Sequence, residues 1–291
     1  MTTKSVIRFL TAVSLNFNIV NAQPGTLDSS FGENGIALGL DLGYAGSAAL
    51  QQDGRILIAG QSSSGLLIAR YLPTGELDSS FGNNGYKKRK INIGSEDIKL
   101  VVLPDDKFIV GCTAWQYLGN DENGDSKYNY DLLLMRFNAN GPLDSSFGNN
   151  GSARGDFTEY DLEHDMIVQT DGKIIVCGMA SGGPFIARYY PDGQPDSSFD
   201  KDGSKIYSTN VSFNTLAVQP DGKIITGATN SDNFFNTKFQ LARYMPDGSA
   251  DTSFGKNGIT VTDFGPHSDV LNTVALQSDG KILAAGKTNL I

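Results

Sequence analysis

The chain of 291 residues carries 32 acidic and 23 basic side chains, for a formal net charge of −9. Such an acidic balance argues against sequence-independent nucleic-acid binding, which rests on clustered Lys and Arg. No apolar run is long enough to span a bilayer, and two histidines with two cysteines make no tetrahedral zinc site. Thirty-four glycines, set among recurring Asn, Asp and Ser, suit many short strands joined by tight turns.

Residues 1–22 read as an export signal. Lys4 and Arg8 give a basic start, residues 9–20 a mostly apolar core, and Val20-Asn21-Ala22 a small-residue cleavage pattern before Gln23. The mature domain then spans residues 23–291, and the protein is expected to be secreted or held at the cell surface. From here on one motif recurs five times: LDSSFG from Leu27, Leu77 and Leu143, PDSSFD from Pro195, and ADTSFG from Ala250. Its phenylalanines lie 50, 66, 52 and 55 residues apart. DGRI at Asp53, DDKF at Asp105 and DGKI at Asp171, Asp221 and Asp279 keep the same beat, as does an Arg before an aromatic at Arg70, Arg136, Arg188 and Arg243. Self-similarity at this period marks units that bury their faces against their neighbours.

Residues 35–41 read as the first outer strand. The next frame gives four: strand a over 46–52, b over 55–61, c over 66–71 and d over 85–93. Asp53-Gly54 joins a to b as a two-residue hairpin, and Asp171-Gly172, Asp221-Gly222 and Asp279-Gly280 repeat it. Strand b is nearly continuous in apolar residues and so is buried on both faces. Strand d, with Lys87, Lys88, Arg89 and Lys90, belongs at the polar rim, where the basic run keeps an edge soluble. Four antiparallel strands, buried and repeated, are a propeller blade; a solenoid of β-turns is the competing architecture. The fold class is therefore all-β, a β-propeller-like array of about four complete blades plus a partial fifth. The last copy runs only through strand b, so the domain reads as incomplete at its C-terminus, with an unpaired final hairpin. Cys112 and Cys177 occupy equivalent strands one register position apart and should face oppositely as free thiols.

The order DGKI, an apolar stretch ending in Gly, Ala-Arg-Tyr, then LDSSFG-x-x-G resembles the bacterial delta-60 repeat family, from Pro24 onward. The resemblance implies a β-propeller-like fold in an exported or surface protein of bacteria. It implies no activity, since that family offers no catalytic residues to carry over.

Repeated residues read as scaffold. Asp78, Asp144 and Asp196 cap the Ser-Ser-Phe turn, Phe81, Phe147 and Phe199 plug the space between blades, and the buried Arg70, Arg136, Arg188 and Arg243 need carboxylate partners. Function must then lie where the copies differ. The spacing of 66 reveals an insertion at 114–131, between strands b and c, carrying Trp115, Tyr117, Tyr128 and Tyr130. A smaller one at 230–238 carries Phe234 and Phe235. Aromatics on projecting loops can stack on sugar rings or anchor a protein partner, or they can simply pack on the blade edge.

Asp121, Asn123, Gly124 and Asp125, and likewise Asp200, Asp202 and Gly203, lack the ligand series of a calcium loop, so no metal is expected. Glu163, His164, Asp97 and Asp269 would have to converge to form a hydrolytic centre. The expectation is an exported binding or interaction module, not an enzyme, with no catalytic residue and no cofactor, and an extracellular protein or glycan as partner. A hydrolase or lyase acting on an extracellular polysaccharide, and a structural surface or adhesion repeat, are the alternatives.

Overall fold

A computed structural model describes residues 25–37, 44–94, 98–209, 211–233, 236–265 and 268–288. Among these residues every regular element is a strand. The first blade holds β1 (Tyr44–Leu50), β2 (Ile56–Ser62), β3 (Gly65–Tyr71) and β4 (Tyr86–Arg89). The second holds β5 (Lys99–Val102), β6 (Phe108–Asn120), β7 (Ser126–Phe137) and β8 (Ser152–Gly155). The third holds β9 (Leu162–Val168), β10 (Ile174–Ala180), β11 (Gly183–Tyr189) and β12 (Ser204–Ile206). The fourth holds β13 (Ser212–Val218), β14 (Ile224–Asn233), β15 (Asn236–Tyr244) and β16 (Ile259–Thr262). β17 (Asp269–Leu276) and β18 (Ile282–Thr288) pair as a two-stranded fifth sheet. All neighbouring strands are antiparallel. The chain is an all-β, propeller-like array of four complete blades and a partial fifth. The inner strands pack in sequence, β1 on β5, β5 on β9, β9 on β13 and β13 on β17.

The a–b turns correct one expectation. Each is a three-residue loop: Gly54 N bonds Gln51 O and Gln51 N bonds Arg55 O, with only Gly54 at positive φ (+83°). This is a type I turn followed by a glycine bulge, so Asp53 keeps an ordinary φ and spends its carboxylate on Arg55 N at 3.0 Å. In blade two Asp106 takes the glycine's place at φ +62°. Asp tolerates that region better than most residues, and its Oδ1 accepts Gln52 N of blade one at 2.8 Å.

The hydrophobic cores lie between blades rather than within them. Leu57, Ile68 and Phe81 of blade one pack with Phe108, Cys112 and Phe137 of blade two. Leu132, Leu134 and Phe147 meet Ile174, Val176 and Tyr189, and Ile175, Cys177 and Phe199 meet Phe213, Leu216 and Tyr244. Cys112 and Cys177 are buried free thiols in different cores.

The repeated motif builds the rim of each joint. Asp78 Oδ1 accepts Ser80 N at 3.0 Å and Ser80 Oγ at 2.6 Å, which closes the turn. Its Oδ2 takes Arg70 Nε at 2.8 Å, while Arg70 Nη1 donates to Ala139 O of the next blade at 2.6 Å. The guanidinium lies 4.7 Å from the centroid of Phe81, a cation–π geometry. Arg136 repeats this with Asp144, Phe147 and Pro191 O, and Arg188 with Asp196, Phe199 and Pro246 O. Each plug meets a glycine in the following blade. A methyl group at Gly141 would lie 3.0 Å from Phe81, at Gly193 2.8 Å from Phe147, and at Gly248 2.7 Å from Phe199. Positive φ (+86° at Gly193 and Gly248) adds a second reason for glycine there.

Candidate ligand-binding site

The insertion at 114–131 is not a loop. β6 and β7 continue past the other strands as a paired ribbon, with Trp115 opposite Tyr130 and Tyr117 opposite Tyr128. Alternation along a strand then puts all four rings on one face. The ribbon closes in a turn where Asp121 Oδ1 accepts Asn123 N at 2.8 Å and Asp125 N at 2.9 Å, with Gly124 at φ +86°. Asp121 is thus a turn former. Similarly, Asp202 Oδ1 accepts Ser204 N at 3.0 Å and Asp200 pairs with Lys205.

Both edges of the ribbon's root are held. Trp115 N donates to Asn92 O at 3.0 Å, from the connection between blades one and two. On the far edge, Tyr130 N donates to Glu159 O at 3.2 Å and Asp161 N to Tyr130 O at 2.9 Å. That second tie brings in Tyr160, a residue the sequence pattern did not single out. Its ring meets Tyr130 at 4.7 Å between centroids; Trp115 and Tyr117 each lie 5.5 Å from Tyr128. The rings are mutually tilted, by 81° for Trp115 on Tyr128 and 60° for Tyr130 on Tyr160. The row stays open to solvent: Tyr117 is 50%, Tyr128 38% and Tyr160 46% exposed.

Beneath this row, Asp131, Asp156 and Asp161 place carboxylate oxygens within 4.8 Å of one another. Burial pushes the Asp131 carboxyl up, Arg154 opposes that rise, and Asp156 and Asp161 add to it. Asp161 is committed to the local turn, with Oδ2 accepting Phe157 N at 2.7 Å and Thr158 N at 3.0 Å. Arg154 Nη1 bonds Asp131 Oδ2 and supplies countercharge. A hard cation would suit these oxygens by charge.

The second insertion is likewise a hairpin extension, Asn230 pairing with Lys238 and Ser231 with Thr237. Phe234 and Phe235 lie outside the described residues, as do Asp97, His267, residues 38–41 of the expected first strand, and residues 1–22. The other residues of the hydrolytic alternative do not come together. Glu163 is buried beside Gly111 and Met166 on the blade-two side of β9. His164 Nδ1 lies 2.9 Å from Phe213 O and 3.2 Å from Ser212 Oγ, on the blade-four side. Asp269, in the fifth sheet, accepts Phe264 N at 3.0 Å.

Residues 51–81, 103–147, 169–199 and 219–254 match the family model described as domain of unknown function (DUF5122) beta-propeller, one match for each complete blade. This places the chain among propeller-like repeat proteins. A comparison with curated proteins finds no sequence match. Among solved structures, alpha-L-arabinofuranosidase from Lactobacillus brevis is similar at 11% identity and TM-score 0.41, over 83% of this chain and 82% of that one. The GH43_1 enzyme from Xanthomonas citri is similar at 9% identity and TM-score 0.39, over 85% and 92%. Drosophila Plexin A in complex with Semaphorin 1b is similar at 9% identity and TM-score 0.35, over 84% and 72%. The expectation that the chain is not an enzyme is corrected: the likeness concerns the fold alone, the first two structures are enzymes, and the fold leaves activity open. Its weakness was physical: repetition marks the repeated residues as scaffold, and the positions that differ between blades remain free to carry chemistry. No helix among the described residues is long and apolar enough to cross a membrane.

Proposed function

We propose that this chain is an exported glycan-binding propeller of the delta-60 repeat type, with its ligand lying along Trp115, Tyr117, Tyr128, Tyr130 and Tyr160. The observation that carries the reading is a row of five aromatic rings, four on a ribbon tied down at both edges and Tyr160 on the neighbouring connection, with Tyr117, Tyr128 and Tyr160 exposed. Trp and Tyr offer large, stiff surfaces with little rotamer entropy to lose, and Tyr hydroxyls add polar contacts. A sugar ring presents an apolar face and a polar rim, the complement of such a row. The basic and apolar character of residues 1–22 supports export, and the LDSSFG-x-x-G and Ala-Arg-Tyr motifs support the delta-60 assignment.

The test is a glycan array probed with the chain from Gln23 onward and with a Tyr117→Ala/Tyr128→Ala variant. The reading expects a glycan retained by the parent chain and lost by the variant, with the same melting profile in both. Equal retention by the two proteins, or none by the parent chain, would overturn it. Assay of released reducing ends on any retained glycan separates holding from cleaving.

A further inference from the structure

The joint between blades one and two differs from the two that follow. Register aligns Arg89, opposite Leu66, with Gly155, opposite Leu132, and with Tyr207, whose N–H bonds Pro184 O. At the third joint the Tyr207 ring fills the rim, 4.5 Å from Tyr244, and its hydroxyl donates to Gly248 O at 2.8 Å. At the second joint Phe157 does so, packing 4.9 Å from Phe185 over Gly155. At the first joint Ile91 stands at the position of Phe157 and packs on the core. Beside it a cleft of about 240 Å³ stays open, floored by Leu66, Ile68, Phe137 and Leu143 and rimmed by Lys87, Lys88 and Arg89.

The charges of this rim contrast with the paired lysines of the later blades. Lys107 and Lys173 reach Asp144 and Asp196 at 3.0 Å, Lys223 reaches Asp251 at 3.5 Å, and Lys99 reaches Asp165 at 3.6 Å. Among the described residues no carboxylate pairs with Lys87, Lys88, Arg89 or Lys90, and Lys88 rests over the Tyr86 ring. Lys87 lies opposite Ile68 and Arg89 opposite Leu66, so both share the face of the cleft floor. An apolar slot that the chain's own aromatics fill at the sister joints, with two uncompensated cations on its face, is complementary to an aromatic body bearing an anionic head.

We infer that the cleft between blades one and two is a second binding site, distinct from the aromatic ribbon, that takes a small aryl carboxylate. The ring occupies the place held by the phenol of Tyr207 in the third joint, and the carboxylate meets Lys87 and Arg89. Gly141 stands where Gly248 does, so a para-hydroxyl is accommodated as the Tyr207 hydroxyl is.

Titration calorimetry with 4-hydroxyphenylacetate, and with its neutral counterpart 4-hydroxyphenethyl alcohol, tests this on the whole chain. The acid should bind and weaken as salt rises, and the alcohol should bind about tenfold more weakly or worse, as loss of charge-assisted bonds implies. Lys87→Ala/Arg89→Ala should abolish the preference for the acid. Arg89→Tyr, which rebuilds the sister joint, should block both compounds while leaving the melting temperature unchanged or higher. No binding of the acid, equal binding of the alcohol, or full binding by either variant would overturn the assignment. These residues are exposed on a rim strand, so folding of the variants is checked independently by their melts.

Discussion

Two aromatic sets in this molecule share chemistry and differ in everything else. Phe81, Phe147 and Phe199 recur once per blade, are fully buried, and sit under an arginine whose polar groups bond to its own turn and to the next blade. Trp115, Tyr117, Tyr128, Tyr130 and Tyr160 occur together once, four on one ribbon and Tyr160 beside it, and Tyr117, Tyr128 and Tyr160 remain exposed. The repeated set has used up its contacts inside the protein; the unique set still has ring surface open to water. In a repeat protein this contrast separates what holds the structure from what can meet a partner.

The largest effect should come from cutting the repeated joint. Asp196→Ala leaves Arg188 and Lys173 facing a buried site without their carboxylate. A loss of about 3–5 kcal/mol by urea unfolding is expected for breaking a buried pair. If the variant keeps the parent's midpoint, the joint is not a stabilising device.

Gly248→Ala attacks the same joint from the other side. Its new methyl would lie 2.7 Å from the Phe199 ring on a backbone at φ +86°. A loss of about 2–3 kcal/mol follows from overpacking and left-handed strain together. Gly280→Ala, at φ +85° with open space around the site, should cost only the backbone part, so equal losses in the two variants would show that the plug contact is not tight.

Acid should reach the repeated set as a group. At Asp144, burial opposes ionisation but is outweighed by hydrogen bonds from Ser146 and Lys107 and by Arg136, which hold the carboxyl well below the usual range. Asp196 is held down in the same way against its burial by Ser198, Lys173 and Tyr190. Carboxyls depressed in the folded state stabilise it above their unfolded pKa of about 3.9 and lose that contribution as pH falls through the folded values. Melting temperatures should therefore be level near neutrality and drop below about pH 4. A melting temperature rising toward pH 2 would reverse the sign and refute the pairing.

The smallest effect belongs to the unique set. Replacing residues 117–128 by a two-residue turn keeps the Trp115–Tyr130 pair and both edge ties. Unfolding free energy should stay within about 1 kcal/mol of the parent's, as for surface changes away from the core, while glycan retention is lost. Ala114 and Asp131 are buried, so removal of the whole stretch 114–131 would cost considerably more. That larger deletion does not isolate the ligand surface.

The period of the chain, the Asp-Gly turns and the Ala-Arg-Tyr strands made the blades legible, because each is local and repeated. The same evidence located the insertion in blade two but not its form. Trp115, Tyr117, Tyr128 and Tyr130 alternate with polar residues at strand spacing, a signal that could have identified a ribbon rather than a loop. Tyr160 was not legible, since only the bridge from Tyr130 brings it to the row. Asp131, Asp156 and Asp161 were missed for the same reason: they meet across the connection from β8 to β9. Gly141, Gly193 and Gly248 recur in the sequence, yet their necessity appears only when the phenylalanine of the preceding blade is seen against them. The open cleft at the first joint could be found only by setting three joints side by side in register.

The plug and its glycine also give the array a direction. The aromatic side chain always belongs to the earlier module and the receiving glycine to the later one, from Phe31 at Gly75 through Phe199 at Gly248. A polypeptide that emerges amino terminus first therefore presents the peg before its socket. Each new unit can dock onto a surface already formed by the one before it, so growth proceeds by templated docking without waiting for the last residue to emerge.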